Sequence, residues 1–366
     1  MKIICLQENL KTNLNITQNI IGRNLTLPIL NNLLLETESG RLKISSTNLE
    51  IGINTWTSGK IERAGAITCP AKILSGLVNN LPNKKIEIEA KNNILTIKCE
   101  NYRAQLKGLP ADDFPIIPKL KESLLAEMRG DILKNSLAQV VGVTALSELR
   151  PEISGVLFKF EKNNLRLAAT DSFRLAEKNI LEIDKKSGPE QTLIVPQRTV
   201  QELIRILGEK EGNLKIVSDG SQILFDLGEI SLISRLINGQ YPDYQQIIPK
   251  NFTISAKVNR EEFLNIIRVA GLFSSKTNDI KLSLAANKLE VLSQDPDLGE
   301  NKSQMAAETK GKGIEVVFNY HYLMDGLNNI STKEINLGFN SEASPAIINP
   351  IGDSSYLYVV MPIKNS

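Results

Sequence analysis

Apolar positions in this chain follow two periods, and both recur three times. Leu74, Leu77, Val78 and Leu81 fall at i, i+3, i+4 and i+7, the spacing of a helix with one buried face. The stripe returns at Val200, Leu203, Ile204 and Leu207, and again at Leu323, Gly326, Leu327 and Ile330, the last with a glycine on it. An apolar strand-like run precedes each, ending TCPAK, IVPQR and VFNYH. Upstream, Arg41 to Glu50, Asn164 to Phe173 and Lys288 to Asp297 read as alternating strands running into a polar turn. Downstream, FPIIP (Phe114 to Pro118) and YPDYQQIIP (Tyr241 to Pro249) close the first two copies, and YVVMPI (Tyr358 to Ile363) closes the third. Three matches in register point to triplication.

Each copy has the order helix, strands, helix, strands. The first helices are expected at Glu8 to Gly22, Asp131 to Ala145 and Asn259 to Leu272, the last opening on an Asn259/Glu262 pair spaced like a capping box. After each second helix come paired strands: IEIEA with ILTIKC, LKIVS with QILFD, and EINLGF with the final YLYVVM. Asn92-Asn93 and Asp219-Gly220 stand where tight hairpin turns belong. Alternation with polar residues implies antiparallel sheets wet on one face, so each copy is an α+β unit of two helices on a sheet. The expected domains are residues 1–120, 128–249 and 252–366, strung like beads that share edges.

The length of 366 residues exceeds what one core usually serves. With 42% hydrophobic and 23% charged residues, nothing suggests disorder. No apolar run approaches the roughly 20 residues of a membrane span, and MKIICLQENL does not read as a signal peptide. Cys5, Cys69 and Cys99 are few and scattered, which is cytosolic usage with buried thiols.

Catalytic chemistry is thin. The single histidine, His321, allows no His-rich metal site, and reads as a surface or cap residue. Gly311-Lys312-Gly313 lacks the preceding glycine and following Ser/Thr of a phosphate loop. Asp112-Asp113 and Asp295/Asp297 lie in turn-rich stretches where aspartate is common, so solvated turn carboxylates outweigh a metal centre or a metal-dependent hydrolase. The composition points to a binding protein. Net charge is only +2, yet Lys11, Arg23, Lys72, Lys134, Arg198, Arg205, Arg260 and Arg268 sit on predicted helices or at their ends. Glu36, Glu38, Glu87, Glu89, Glu161, Asp226 and Glu229 sit in strands and loops. If all helices faced one way, that face would be positive and could track phosphates without reading bases, or be ordinary solvated surface; composition leaves both open.

LPILNNLLLE (from Leu27), LPADDFPIIP (from Leu109), AATDSFRLAE (from Ala168), LIVPQRTVQELIRIL (from Leu193), YPDYQQIIPKN (from Tyr241) and the terminal YVVMPI resemble, in order, the bacterial DNA sliding clamp, the beta subunit of DNA polymerase III. The resemblance runs from Met1 to Ser366. It implies two three-domain chains joined head to tail in a closed six-domain ring, helices lining the hole and sheets forming the rim. The ring encircles double-stranded DNA and tethers the replicative polymerase alpha subunit. It implies a processivity factor with no catalytic site and no cofactor, opened by a clamp loader. Other polymerases and repair proteins would dock through short peptides. A paralogue serving repair or a mobile element would have the same fold.

Carried over by residue, the resemblance puts a peptide cleft between the second and third domains. Its residues would be Ile153, Thr170, Ser172, Phe173, Arg174, Leu175, Pro242, Gln246, Ile247, Val359, Val360, Met361, Pro362 and Ile363, with Thr170 and Arg174 orienting the peptide. DNA contacts would involve Arg23, Lys72, Ser147, Arg198 and Arg205, and the dimer interface Ala104 and Leu106 against Leu272 and Phe273 of the other chain. Ser172-Phe173, Gln245-Gln246 and the Lys364-Asn365-Ser366 end depart from the family pattern and imply a shifted peptide preference. Pro151 and Glu152 replace aromatic residues in the DNA-touching loop, so base stacking is not expected there.

Overall fold

The computed structural model describes the whole chain except residues 23–25, 121–123, 148, 182, 184–189, 210–211 and 364–366. Six α-helices occur among the described residues: α1 (Gln7–Thr17), α2 (Ala71–Asn79), α3 (Gly130–Val141), α4 (Gln197–Glu209), α5 (Arg260–Gly271) and α6 (Tyr320–Asn328). Contacts group the chain into two compact units. One holds residues 1–131 and 201–236, the other 132–183, 190–200 and 237–366.

The first unit carries two sheets. The five-stranded one orders Lys60–Arg63, Lys2–Leu6, Lys85–Lys91, Ile94–Cys99 and Tyr102–Lys107, all antiparallel. Its alternation buries Ile3 and Cys5, Ile86 and Ile88, and Leu95, Ile97 and Cys99 in one core with Leu10 and Leu14 of α1 and Leu74 and Val78 of α2. Burial pushes the Cys5 and Cys69 thiols up to about 12, so both stay protonated packing groups. The second sheet has eight strands and crosses from one sequence copy to the next. Ile51–Ser58 of the first copy pairs with Ile230–Arg235 of the second, Ile53 opposite Leu232.

The second unit repeats this plan. A nine-stranded sheet joins Arg174–Ile180 of the central copy to Tyr356–Val360 of the last, Leu175 opposite Val359. A four-stranded sheet ends on the edge strand Gly299–Ala306. The shared edges expected from sequence are therefore continuous sheets.

Helix ends fall short of expectation. α1 stops at Thr17, whose hydroxyl donates back to Asn13 O at 2.9 Å, and a 3-10 turn, Gln18–Ile20, follows instead of helix to Gly22. α3 ends at Val141, four residues before Ala145. α5 begins as read: the Asn259 side chain caps it by accepting from Glu262 N–H at 3.0 Å. Asn92 and Asn93 form the expected two-residue turn with φ of +52° and +58°. The other turn shifts by one: Gly220-Ser221 makes the bend, and Asp219 accepts from the N–H groups of Ser221 and Gln222.

Candidate functional site

The turn between strands Asn164–Thr170 and Arg174–Ile180 is built by its own polar side chains. The Thr170 hydroxyl donates to Arg174 O at 2.7 Å and accepts from Ser172 N–H at 3.1 Å. Asp171 Oδ1 accepts from the N–H groups of Phe173 and Arg174 at 2.9 and 3.0 Å. These bonds hold Ser172 at φ +78°, a left-handed conformation that costs a non-glycine residue about 1 kcal/mol or more.

Arg174 then locks the turn to the last copy. Its Nε donates to Asp171 Oδ2 at 2.9 Å, one terminal nitrogen to Asp325 of α6, and the other to Gly142 O at 3.3 Å. The guanidinium lies 4.5 Å from the Tyr322 ring centroid. Burial works against its charge, but Tyr358 and the Asp325 and Asp171 carboxylates outweigh it and hold the pKa above the usual arginine value. Thr170 and Arg174, expected to orient a peptide, thus commit these groups to bonds within the turn and to Asp325 and Gly142.

Along one side runs the terminal strand. Arg174 stands opposite Val360, and Met361 N–H donates to Phe173 O at 2.8 Å. The Phe173 ring, 59% exposed, stacks on Tyr322 with centroids 6.4 Å apart and planes at 24°. Along the other side, Pro242 leads into a 3-10 turn, Tyr244–Ile247. Tyr244 is buried, meets the Tyr241 ring edge-on, and donates to the buried Glu177 Oε2 at 2.6 Å. Ile153, Leu175, Val359, Val360 and Pro362 are buried, Leu175 and Val359 in one cluster with Tyr241 and Tyr244; Ser172, Phe173, Gln246 and Ile247 are exposed, and Pro242, Met361 and Ile363 are half-buried. Gln246 donates to Asp243 Oδ2 at 2.7 Å. The sequence reading missed Asp171, Tyr244, Glu177, Tyr322 and Asp325. Only Asp171, inside an Asx-turn spacing, carried a local signal.

The expected DNA contacts scatter more. Arg23 lies outside the described residues. Lys72 and Arg198 are exposed, on α2 and α4. Arg205 is not a free cation: it donates to Glu202 Oε2 at 3.0 Å and to Ile16 O at 2.7 Å, satisfying a carbonyl near the end of α1. Ser147 is half-buried, between Leu146 and Leu149, which are both exposed. Arg150 of the same loop donates to Glu152 and to Ser172 Oγ.

The expected interface divides too. Leu272 is 70% exposed beside α5 and Phe273 half-buried. Leu106, only 6% exposed, belongs to the first unit's own core, because alternation along Tyr102–Lys107 turns it inward with Ala104 packed beside it. What that strand leaves open is its backbone edge, since it ends its sheet. His321 is exposed, its N–H donating to Asn319 Oδ1, and Asp295 accepts from the N–H groups of Asp297 and Leu298 as a turn residue.

Three family models match in order: the N-terminal domain of the DNA polymerase III beta subunit over residues 1–118, its central domain over 127–243 and its C-terminal domain over 245–364. The beta sliding clamp of Synechococcus elongatus is 32% identical over 372 residues, covering 100% of this chain and 99% of that protein. That of Staphylococcus aureus is 29% identical over 365 residues, 96% of each chain. Among solved structures, the DNA polymerase sliding clamp of Bacillus subtilis superposes with a TM-score of 0.96 at 27% identity. The DnaN sliding clamp of Pseudomonas aeruginosa, bound to griselimycin, gives 0.95 at 28%, and both matches cover 100% of each chain. The chain belongs to the bacterial beta sliding clamp family, the beta subunit of DNA polymerase III.

Proposed function

We propose that two copies of this chain close head to tail around duplex DNA and tether the replicative polymerase, with clamp domains over residues 1–120, 128–249 and 252–366. The observation that carries this is similarity to sliding clamps over the full length of both chains, in sequence and in fold. The protein is a non-catalytic processivity factor, and its grip on DNA is topological. Lys72 and Arg198, with Arg23, meet phosphates through weak, salt-sensitive contacts, and Arg205 contributes mainly by fixing α1. A ring that reads no bases can slide. An energy-using clamp loader opens it. Ring closure engages Leu272 and Phe273 on one chain and the Tyr102–Lys107 edge, near Ala104 and Leu106, on the other. Replication of a bacterial chromosome places this work in the cytoplasm, and no described helix is long and apolar enough to cross a membrane.

Partners dock by short peptides over the buried floor of Leu175, Val359 and Val360, between Phe173 and Ile247 on the rim. The griselimycin-bound relative supports a ligand-taking surface in the family. Peptide side chains bury apolar area worth roughly 25 cal/mol per Å², and open backbone groups set the register. The test is titration of a labelled peptide carrying two adjacent apolar residues. Phe173→Ala and Ile247→Ser should each weaken binding about tenfold, the loss of about 1.4 kcal/mol of burial. Unchanged affinity in both variants would remove the cleft assignment.

A further inference from the structure

The cleft just described is built twice in this chain. In the first copy the Thr47 hydroxyl donates to Ile51 O at 3.0 Å and accepts from Leu49 N–H at 3.0 Å, as Thr170 does with Arg174 and Ser172. Asn48 Oδ1 accepts from the N–H groups of Glu50 and Ile51, the task of Asp171. Leu49 takes φ +75°, against +78° for Ser172. The flanking strand repeats as well: Ile51 faces Ser234 and Gly52 faces Ile233, as Arg174 faces Val360 and Leu175 faces Val359. Arg235 N–H donates to Glu50 O at 3.0 Å where Met361 N–H donates to Phe173 O.

Two differences shape this second floor. The wall is Phe114 to Pro118, shorter than Tyr241 to Pro249, and its 3-10 turn, Ala111–Asp113, comes before it. Gly52 replaces Leu175, and a Cβ there would stand 2.9 Å from Ile117, which fills the space. What remains is a groove of about 300 Å³ with Leu49 and Ile116 on its rim, Ile116 being 92% exposed. At one end stands Arg235. It lies 3.6 Å from Glu50, beyond hydrogen-bond distance, and both side chains are more than 60% exposed. An exposed pair of this kind contributes little and exchanges readily, and an arginine fork suits a carboxylate in two-point contact.

We propose that this groove is a second docking site, for an extended partner segment that sets an apolar anchor on Leu49 and Ile116 and a neighbouring carboxylate on Arg235. It rests on the reading of the C-terminal cleft as a peptide site, because the same framework is what argues for the same class of occupant. Arginine in place of Met361, and isoleucine in place of Arg174, give it a different preference: acidic beside the anchor.

Calorimetric titration of the full chain with the peptide Asp-Leu-Leu-Phe, and with Asn-Leu-Leu-Phe as control, separates the two sites. Two Asp-Leu-Leu-Phe peptides per chain are expected, one surviving Ile247→Ser and the other surviving Leu49→Ser with Ile116→Ser. Arg235→Gln should weaken the second site about tenfold for the Asp peptide and leave the Asn peptide unchanged. One peptide per chain, abolished by Ile247→Ser alone, overturns the second site and leaves the first. One peptide per chain, abolished only by the Leu49/Ile116 variant, overturns the C-terminal assignment instead. No binding to the intact chain removes both, and an Arg235→Gln variant without effect removes the acidic preference.

Discussion

Glu177 is buried, and the Tyr244 hydroxyl is the short bond joining it to the 3-10 turn that carries Ile247. Tyr244→Phe removes that bond from a buried carboxylate, leaving it Asn179 at 3.3 Å and Arg166 at 3.9 Å. The variant should lose about 1–3 kcal/mol of stability in urea unfolding, and an unshifted midpoint would contradict the account. Little of this was legible in sequence. Thr170 and Arg174 stood out in the sequence, but their bonds did not, because Asp325 and Tyr322 come from a distant helix with no local pattern tying them to the turn. Asp219 shows the contrary case, a turn aspartate whose local spacing was readable. Burial opposes its charge, but the N–H groups of Gln222 and Ser221 and the Ser221 hydroxyl hold its pKa below the usual carboxylate value. A folded pKa depressed in this way contributes stability above the unfolded value, about 3.9, which is lost as pH falls through the folded one. Asp219→Asn should therefore flatten the acid limb of the stability profile below about pH 4. A limb parallel to that of the parent chain would count against it.

Helices were the most readable elements, because a stripe reports which face is buried. Leu74, Val78, Leu203, Leu323 and Leu327 all lie inside, as their spacing requires. The glycine on the third stripe looked like a weakness and is a packing requirement: a Cβ on Gly326 would meet the Tyr358 ring at 2.6 Å. Alanine has the better helix propensity by about 1 kcal/mol, yet Gly326→Ala should destabilise the chain by about 1–3 kcal/mol through overpacking. A stabilised variant in chemical denaturation would show that the ring moves aside freely. Helix ends were less readable, since Thr17 ends α1 by a back-bond and a 3-10 turn that the apolar stripe does not encode. Leu106 makes the same point for strands. Its side chain packs into the first unit's core by strand alternation, a burial that the family resemblance does not encode.

On the scale of the molecule, triplication was legible because it repeats in the chain, and shared edges were expected, whereas the strands that pair across copies were not legible. Alternation tells which face of a strand is wet and nothing about its neighbour. Pairing of Ile51–Ser58 with Ile230–Arg235, and of Arg174–Ile180 with Tyr356–Val360, welds successive copies by backbone bonds. Each weld places a polar turn beside a strand end, which is how both grooves arise. The proposed ring is held on DNA by topology. The measurement that tests it most directly is retention of the protein, loaded with a clamp loader and ATP, on circular and on linearised DNA in high salt. Salt weakens phosphate contacts but cannot unthread a ring from a circle. Retention on circles with loss from linear DNA is the predicted result. Equal loss from both, with the loader active on another clamp, would contradict the closed ring.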